Sequence, residues 1–380
     1  MAGGALSHIK VLDLSRILAG PWSTQLLGDL GAEVIKVERP GVGDDTRTWG
    51  PPFVVNGDGT PGDAGYFLCA NRNKQSLQID ITSEEGQAEI RALVKTADIV
   101  VENYKVGGLK KYGLDYDSLS LINPGLIYCS ITGFGQTGPY ANRPGYDFLI
   151  QAMGGMMSIT GEKDGVAGAG PQKVGVAVAD IMTGMYATVG ILAALAHRDR
   201  TGEGQYIDLA LLDCQMAMLA NQNMNYLVGG QSPERMGNAH PNIVPYQVFE
   251  TSDGHLILAI GNDGQFRRFA ELNDQDWADD PRFATNPARV KNRDELVTQM
   301  GAVMQGKSTA QWIDILEQHT VPCGPVNTIE QAFQDPQVIH RGMQREIIRE
   351  DGVIIPTVSN PLKFSKTPVR YDLAPPRLKK

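Results

Sequence analysis

The stretch from residue 9 to residue 40, IKVLDLSRILAGPWSTQLLGDLGAEVIKVERP, limits the possible folds more than any other. Ile9-Lys10-Val11-Leu12-Asp13-Leu14 is a short apolar run of strand type, followed by the loop SRILAGP. WSTQLLGDLG has helical spacing and closes on Gly31, and Glu33 to Val37 forms a second strand ending at Glu38-Arg39-Pro40. A strand, helix, strand unit builds a parallel sheet that needs cover on both faces. The acid that closes the second strand invites a dinucleotide reading. The first turn, however, offers Gly20-Pro21 in place of GxGxxG, and that reading carries little weight.

The alternation continues. Ser76 to Ile81 reads as a strand, and GQAEIRALVKTA as a helix after an N-cap at Ser83. Further strands are expected at Asp98 to Glu102 and Leu126 to Ile131, the latter running into the glycine-rich loop TGFGQTGPY. Helices are expected at about Tyr146 to Met153 and after Asp180, then a strand and a long helix in the segment ending at residue 229. Near residue 230 the texture changes to turn formers. A buried strand, Gly254 to Ile260, is followed by helices from about Gln265, Asp294 and Thr309, with Cys323 to Val326 closing the stretch. The expected organisation is a large α/β domain with an open parallel sheet over 1–229 and a small α+β domain over 230–330. The segment 331–380, with strands or loops at Val353 to Pro356 and Pro361 to Phe364, returns to the large domain.

A formal charge of −9 argues against a partner held by a basic field, so no nucleic-acid binding is expected. Cys69, Cys129, Cys214 and Cys323 are scattered without ligand spacing, so they read as reduced thiols and no metal is expected. The first residues show no charged leader ahead of a long apolar run. Ile181 to Ala196 is too short an uncharged run to span a membrane. A cytoplasmic protein without membrane attachment is expected.

One aspartate, Asp180, stands in the otherwise uncharged stretch VGVAVADIMTGMYATVG. As an N-cap it would accept backbone N–H bonds from the helix that follows. As a carboxylate at a helix N-terminus it would stay ionised and serve as a nucleophile. The small residues around it (Gly175, Ala177, Ala179, Thr183, Gly184) leave room for an acyl group. Both readings stand at this point.

Over nearly its full length the chain resembles the family III CoA-transferases. The resemblance is carried by VLDLSRILAGPWSTQLLGDLGAEVIKVERPGVGDDTR, NRNKQSLQID, VENY, INPGLIYCSITGFGQTGPYANRPGYD, VADIMTG, GEGQYIDLALLD and GNAHPNIVPYQVF, in that order. It implies that Asp180 attacks an acyl-CoA, giving an aspartyl anhydride and then an aspartyl-CoA thioester. The coenzyme A thioester is the substrate and no cofactor is permanently bound. It also implies an interlocked homodimer, which composition alone does not reveal.

The resemblance assigns CoA contacts to Ile17, Leu18 and Ala19, to Arg39, to Asn73 and Lys74 of the NRNK segment, and to Asn103 and Tyr104. A basic lining for the three phosphates adds Arg72, Lys105 and Lys111, although a solvated face explains such lysines equally well. Tyr146 and Asp147 match a tyrosine and an acid near the reacting group; without the resemblance, ring packing and a cap or solvent-facing carboxylate would account for them. Related α-methylacyl-CoA racemases carry a histidine at the tyrosine position, and a phenol is a weak base at neutral pH, so racemisation is the runner-up. A non-catalytic CoA or nucleotide binder is a third reading.

Formyl-CoA:oxalate transferases of the family close their site with four consecutive glycines. Here that region is GNAHPNIVPYQVF, and closure or substrate contact falls to Gly237, Asn238, His240 and Tyr246. His240 is either a turn and packing residue or a contact to the distal carboxylate of a diacid. Within the family the likeness is strongest to succinyl-CoA-dependent dicarboxylate transferases. The expected donor is succinyl-CoA, and the acceptor a dicarboxylic acid such as glutarate, 3-hydroxy-3-methylglutarate, itaconate or a malate-like acid.

Overall fold

The computed structural model describes residues 3–378, which fall into two compact units. The first comprises residues up to 156 together with 173–231 and 336 onward, and the second comprises 157–172 and 232–335.

The first unit is α/β. Its sheet contains β1 (Lys10–Asp13), β2 (Glu33–Glu38), β5 (Lys74–Gln78), β6 (Ile99–Glu102), β7 (Ile127–Thr132) and β8 (Gln205–Ala210). A short hairpin of β3 (Phe53–Val55) and β4 (Pro61–Ala64) stands apart from it. The six strands are all parallel, in the order β5-β2-β1-β6-β7-β8. Chain order therefore reverses between β1 and β6, the place where open sheets of this kind leave a crevice beyond their carboxyl ends.

Alternation along the strands makes both faces apolar. Val11, Val34, Val101 and Cys129 join one buried cluster, which the helices Ala19–Asp29 and Val178–Thr201 cover. Leu12, Val37, Val100 and Tyr128 join the opposite cluster with Ile90 and Val94 of helix Glu84–Val94. Ser83 caps that helix by accepting from the Gly86 N–H, and Gly31 turns the chain into β2 with φ +107°.

Helix Val178–Thr201 has 24 residues and is apolar and long enough to cross a bilayer, longer than the uncharged run suggested. Its inner residues, Thr183, Gly184, Ala187, Ile191 and Leu195 among them, are buried. At Gly184 a Cβ would stand 2.7 Å from the Ala19 carbonyl oxygen, so glycine permits close packing of the two helices. The long helix expected before residue 229 is broken at Ala220, φ +45°, into Leu211–Met218 and Asn221–Gly229.

The second unit has a three-stranded antiparallel sheet of β9 (Tyr246–Glu250), β10 (His255–Ala259) and β11 (Cys323–Pro325), with β10 in the centre. Helices Asp263–Glu271, Arg293–Met304 and Thr309–Gln318 bury Phe266, Phe269, Met300, Trp312 and Leu316 in one core. Asn262 and Ser308 cap two of them, Ser308 in a capping box. Residues 157–172, outside the 230–330 range read from the sequence, belong to this unit. A hairpin of β12 (Gln344–Ile348) and β13 (Ile354–Val358) belongs to the first unit, while 361–364 forms no strand.

Candidate active site

At the reversal point the first unit has a cavity of about 760 Å³. Its wall comes from the loops that follow β1, β2, β6 and β7, from residues 79–82 beyond β5, from residues 141–146, and from Asp180. Six parallel strands end here, so one small crevice collects side chains from segments far apart in sequence.

The loop after β1 supplies Ile17, Leu18 and Ala19 to the wall. Ile17 has φ +71°, and its N–H donates to the Asp44 carboxylate at 3.3 Å. Asp44 in turn is paired with Lys36 at 2.9 Å, both side chains being fully buried. Asn103 uses its amide on the backbone of Arg16, accepting from its N–H at 2.9 Å and donating to its carbonyl at 2.7 Å. Tyr104 and Lys105 line the cavity beside it.

Four cations of the lining, Arg39, Lys105, Lys111 and Arg143, have no ion-pair partner among the described residues. Lys111 lies 4.6 Å over the Tyr112 ring, and the Arg143 guanidinium 4.6 Å over that of Tyr140. Arg16 is paired with Asp45. A chain of net charge −9 thus gathers unpaired positive charge in one cleft, the electrostatic arrangement that suits a polyanion.

Arg72, Asn73 and Lys74 lie elsewhere. Strand β5 begins at Lys74, two residues before the expected Ser76, so this segment stands at the amino end of the strand. The cavity opens at the carboxyl ends, and β5 contributes to it through Ile79 to Thr82. Arg72 is buried in an ion pair with Asp29 and donates to the Val358 carbonyl at 3.0 Å. The Asn73 amide donates to Asp29 at 2.8 Å and to the Arg370 carbonyl at 2.9 Å, and its oxygen accepts from the Asp372 N–H at 2.9 Å. Lys74 donates to Asp13 at 3.0 Å, to the Pro21 carbonyl at 2.9 Å and to Asn71 at 3.0 Å. Burial pulls its ammonium down to about 8 against the attraction of Asp13. These three side chains organise the fold beneath the site.

Asp180 is not the helix cap. The N-cap residue is Ala177, and Asp180 is the third residue of the first turn, with its side chain on the cavity wall. The cap comes from another helix. The Asp147 carboxylate accepts from the Ala179 N–H at 2.8 Å and from the Asp180 N–H at 3.4 Å, and from the Gln151 amide at 2.7 Å. Gln151 also accepts from the Val174 N–H at 2.9 Å, fixing the extended segment before the helix. Tyr146, immediately before helix Asp147–Met153, is 64% exposed and lines the cavity mouth.

The expectation that Asp180 stays fully ionised is overturned. Burial, helped by the like charge of Asp147, pushes its carboxyl up to about 7. The helix end favours the anion, but Asp147 already takes the first N–H groups that would stabilise it. A buried carboxyl of lowered acidity on a cavity wall, with a second carboxylate on the N–H groups of its own turn, is an arrangement typical of functional sites.

Gly237, Asn238, His240 and Tyr246 belong to the second unit. Gly237 has φ +58° and donates to the Gly161 carbonyl at 3.1 Å. The Asn238 side chain is exposed. The His240 N–H donates to the Tyr246 carbonyl at 3.0 Å, and the two rings meet edge to face at 5.3 Å. Nδ1 of His240 accepts from the Asn242 N–H, and burial with the neighbouring Arg293 lowers its basicity. Among the described residues no cluster of three His, Cys, Asp or Glu side chains is placed to hold a metal.

Several site residues escaped the sequence reading. Arg16, Ile79 to Thr82 and Arg143 would have followed from the rule that ligands sit beyond strand ends, once β5 was placed correctly. Trp49 lines the cavity and packs edge-on against Tyr66 at 5.3 Å; burial and then the charge of Asp180 push the Tyr66 phenol up to about 12. No local pattern announced that pair, nor the buried Lys36 and Asp44.

The sequence matches the CoA-transferase family III over residues 6–380. It is 55% identical to a succinate–glutarate CoA-transferase of Agrobacterium fabrum, over 98% of this chain and 92% of that one. It is 43% identical to the human succinyl-CoA:glutarate CoA-transferase, over 98% of this chain and 83% of that one. Among solved structures, a CAIB/BAIF family protein from Brucella suis is 52% identical and superposes with a TM-score of 0.86, covering 99% of this chain and 97% of that one. With its parallel-sheet architecture and its basic crevice already described, the chain belongs to the family III CoA-transferases.

Proposed function

We propose that this CoA-transferase takes CoA from succinyl-CoA and gives it to a dicarboxylic acid, with glutarate the first choice of acceptor, through covalent chemistry on Asp180. The relatives' names supply the two acids. The observation that carries the mechanism is Asp180 on the wall of a cation-lined cavity, with its own N-terminal turn held by Asp147.

Ionised Asp180 attacks the thioester carbonyl; the C–S bond breaks, leaving a succinyl-aspartyl anhydride and CoA thiolate. The thiolate attacks the aspartyl carbonyl, releasing succinate and forming an aspartyl-CoA thioester. The acceptor carboxylate attacks that thioester, and CoA thiolate leaves again. Attack of the thiolate on the acceptor side of the second anhydride yields the new acyl-CoA and regenerates Asp180. Every step exchanges one acyl bond for another, so no redox partner or net proton is required. Water must be kept from both intermediates.

Asp147 acts in this reading as a positioning residue, and its charge adds to burial in raising the Asp180 carboxyl. Arg39, Lys105 and Lys111 meet the phosphates of CoA, and Ile17, Leu18, Ala19 and Tyr104 flank it. Tyr146 stands at the acyl end, offering a phenol where racemases carry an imidazole, which disfavours racemisation. Gly237, Asn238, His240 and Tyr246 keep the assignment to closure and acid contact read from their segment, which stands where other members of the family carry the run of glycines.

The working form is an interlocked homodimer in the cytoplasm. Support for a partner comes from the first unit, where Phe148, Val189, Met224, Leu227 and Val228 are all more than half exposed. Incubation with succinyl-CoA and a panel of diacids, with products identified by mass, tests the assignment. Glutaryl-CoA should form with the parent and not with Asp180→Ala. Transfer surviving in the variant refutes the nucleophile, and hydrolysis alone by the parent refutes the transferase reading of the acids.

A further inference from the structure

The loop between β1 and helix Ala19–Asp29 holds a β-branched residue in a backbone region such side chains rarely enter: Ile17, at φ +71°. A conformation of this kind persists only where the surroundings over-determine it. Three groups do so here. Asn103 grips Arg16 on both sides of the residue before it. The Ser15 carbonyl accepts from the Lys36 ammonium at 2.8 Å. The third is Asp44, whose two carboxylate oxygens accept from the Ile17 N–H at 3.3 and 3.4 Å.

Asp44 has little freedom to move. It is paired with Lys36 and accepts from the N–H and hydroxyl of Thr46 at 3.0 and 2.8 Å, while its own N–H donates to Glu38 at 2.8 Å. Neither Lys36 nor Asp44 exposes its side chain. A buried ion pair is a weak source of net stability compared with apolar packing. This pair does something an apolar pair would not, namely fix an acceptor opposite one particular N–H.

We propose that Asp44, clamped by Lys36, is a positioning residue that holds Ile17 left-handed, so that Ile17, Leu18 and Ala19 present a preformed wall to CoA. The inference rests on the reading of the cavity as the CoA site. Without the pair the loop relaxes to negative φ at Ile17, its peptide groups turn, and the wall must be rebuilt each time CoA binds. The penalty falls on binding of the thiol ester and spares the acid acceptor.

A thermodynamic cycle tests this, with Kd for CoA measured by calorimetry and folding checked by circular dichroism. Lys36→Met with Asp44→Ala removes both charges together, so neither ion is left buried without the other. In the parent background it should weaken CoA binding by about tenfold or more, judged from the usual strain of such residues. In an Ile17→Gly background, where glycine enters the left-handed region freely, the same deletion should change Kd by less than about threefold. KM for acyl-CoA should rise while KM for the acid holds.

Equal penalties in the two backgrounds would overturn this inference alone. Failure of the parent to bind CoA would overturn the reading of the cavity and the inference with it. Should the charge-deleted chain not fold, Ile17→Pro decides: its ring enforces negative φ and removes the N–H while the buried pair stays intact. It should bind CoA about tenfold more weakly than Ile17→Gly. Equal binding by the two variants would again overturn the proposal.

Discussion

Replacing Asp147 by asparagine separates the two duties of that side chain. The amide would keep an oxygen for the Ala179 N–H, 2.8 Å away in the parent, so the start of helix Val178–Thr201 should survive. What disappears is the like charge, the second cause after burial of the rise in Asp180 to about 7. At an effective dielectric of about 20, two unit charges about 6 Å apart repel by about 3 kcal/mol, or about two pH units. Solvent reaching the cavity mouth reduces that, and a downward move of about one pH unit is the expected result. Since Asp180 must be ionised to attack, kcat/KM for acyl-CoA rises through its titration, and that ratio reports the free enzyme. Profiles from about pH 5 to about pH 9 should show the acid limb near about 7 in the parent and near about 6 in Asp147→Asn. An unmoved limb with intact folding would refute the coupling and leave burial as the sole cause.

The same titration reaches folding stability. A carboxyl raised to about 7 in the folded chain favours folding below about 4, and that advantage is lost as pH climbs through 7. Asp180→Asn should therefore be more stable than the parent at about pH 8, by about 1–3 kcal/mol, and nearly equal to it at about pH 4; thermal melts showing a gain independent of pH would contradict this. Asp29→Ala should strip the buried Arg72 of its partner and lower stability to urea by about 3–5 kcal/mol. The surviving folded enzyme should keep its KM for acyl-CoA within about twofold. A large rise in KM without loss of stability would return the NRNK segment to the CoA site.

The alternation of strands and helices was readable because each strand buries both faces and each helix one, which leaves plain periodicities in Val11–Leu12 and Ile90–Val94. The isolation of Asp180 among apolar residues marked it for attention but left a cap and a nucleophile both open, and the structure places it on a cavity wall with the cap supplied by Asp147. Its protonation was not readable. That depends first on burial and then on Asp147, from another helix, which caps the same turn. The NRNK segment misled for a similar reason. It leads into β5 and so stands at the amino end of the strand, away from the cavity, and polar residues suited to phosphate are equally suited to a buried network. Ile17 gave no warning at all, since its strain comes from side chains on two other strand ends.

The network around Asp29 also orders events during synthesis. Arg72 and Asn73 have partners at Val358, Arg370 and Asp372, and Asp29 receives the Asn360 amide at 2.9 Å, so each contact waits for residues translated at least 286 positions later. All of the second unit, residues 232–335 included, is translated in between. A nascent chain thus carries an unfinished first unit until the segment from Val358 to Asp372 has emerged.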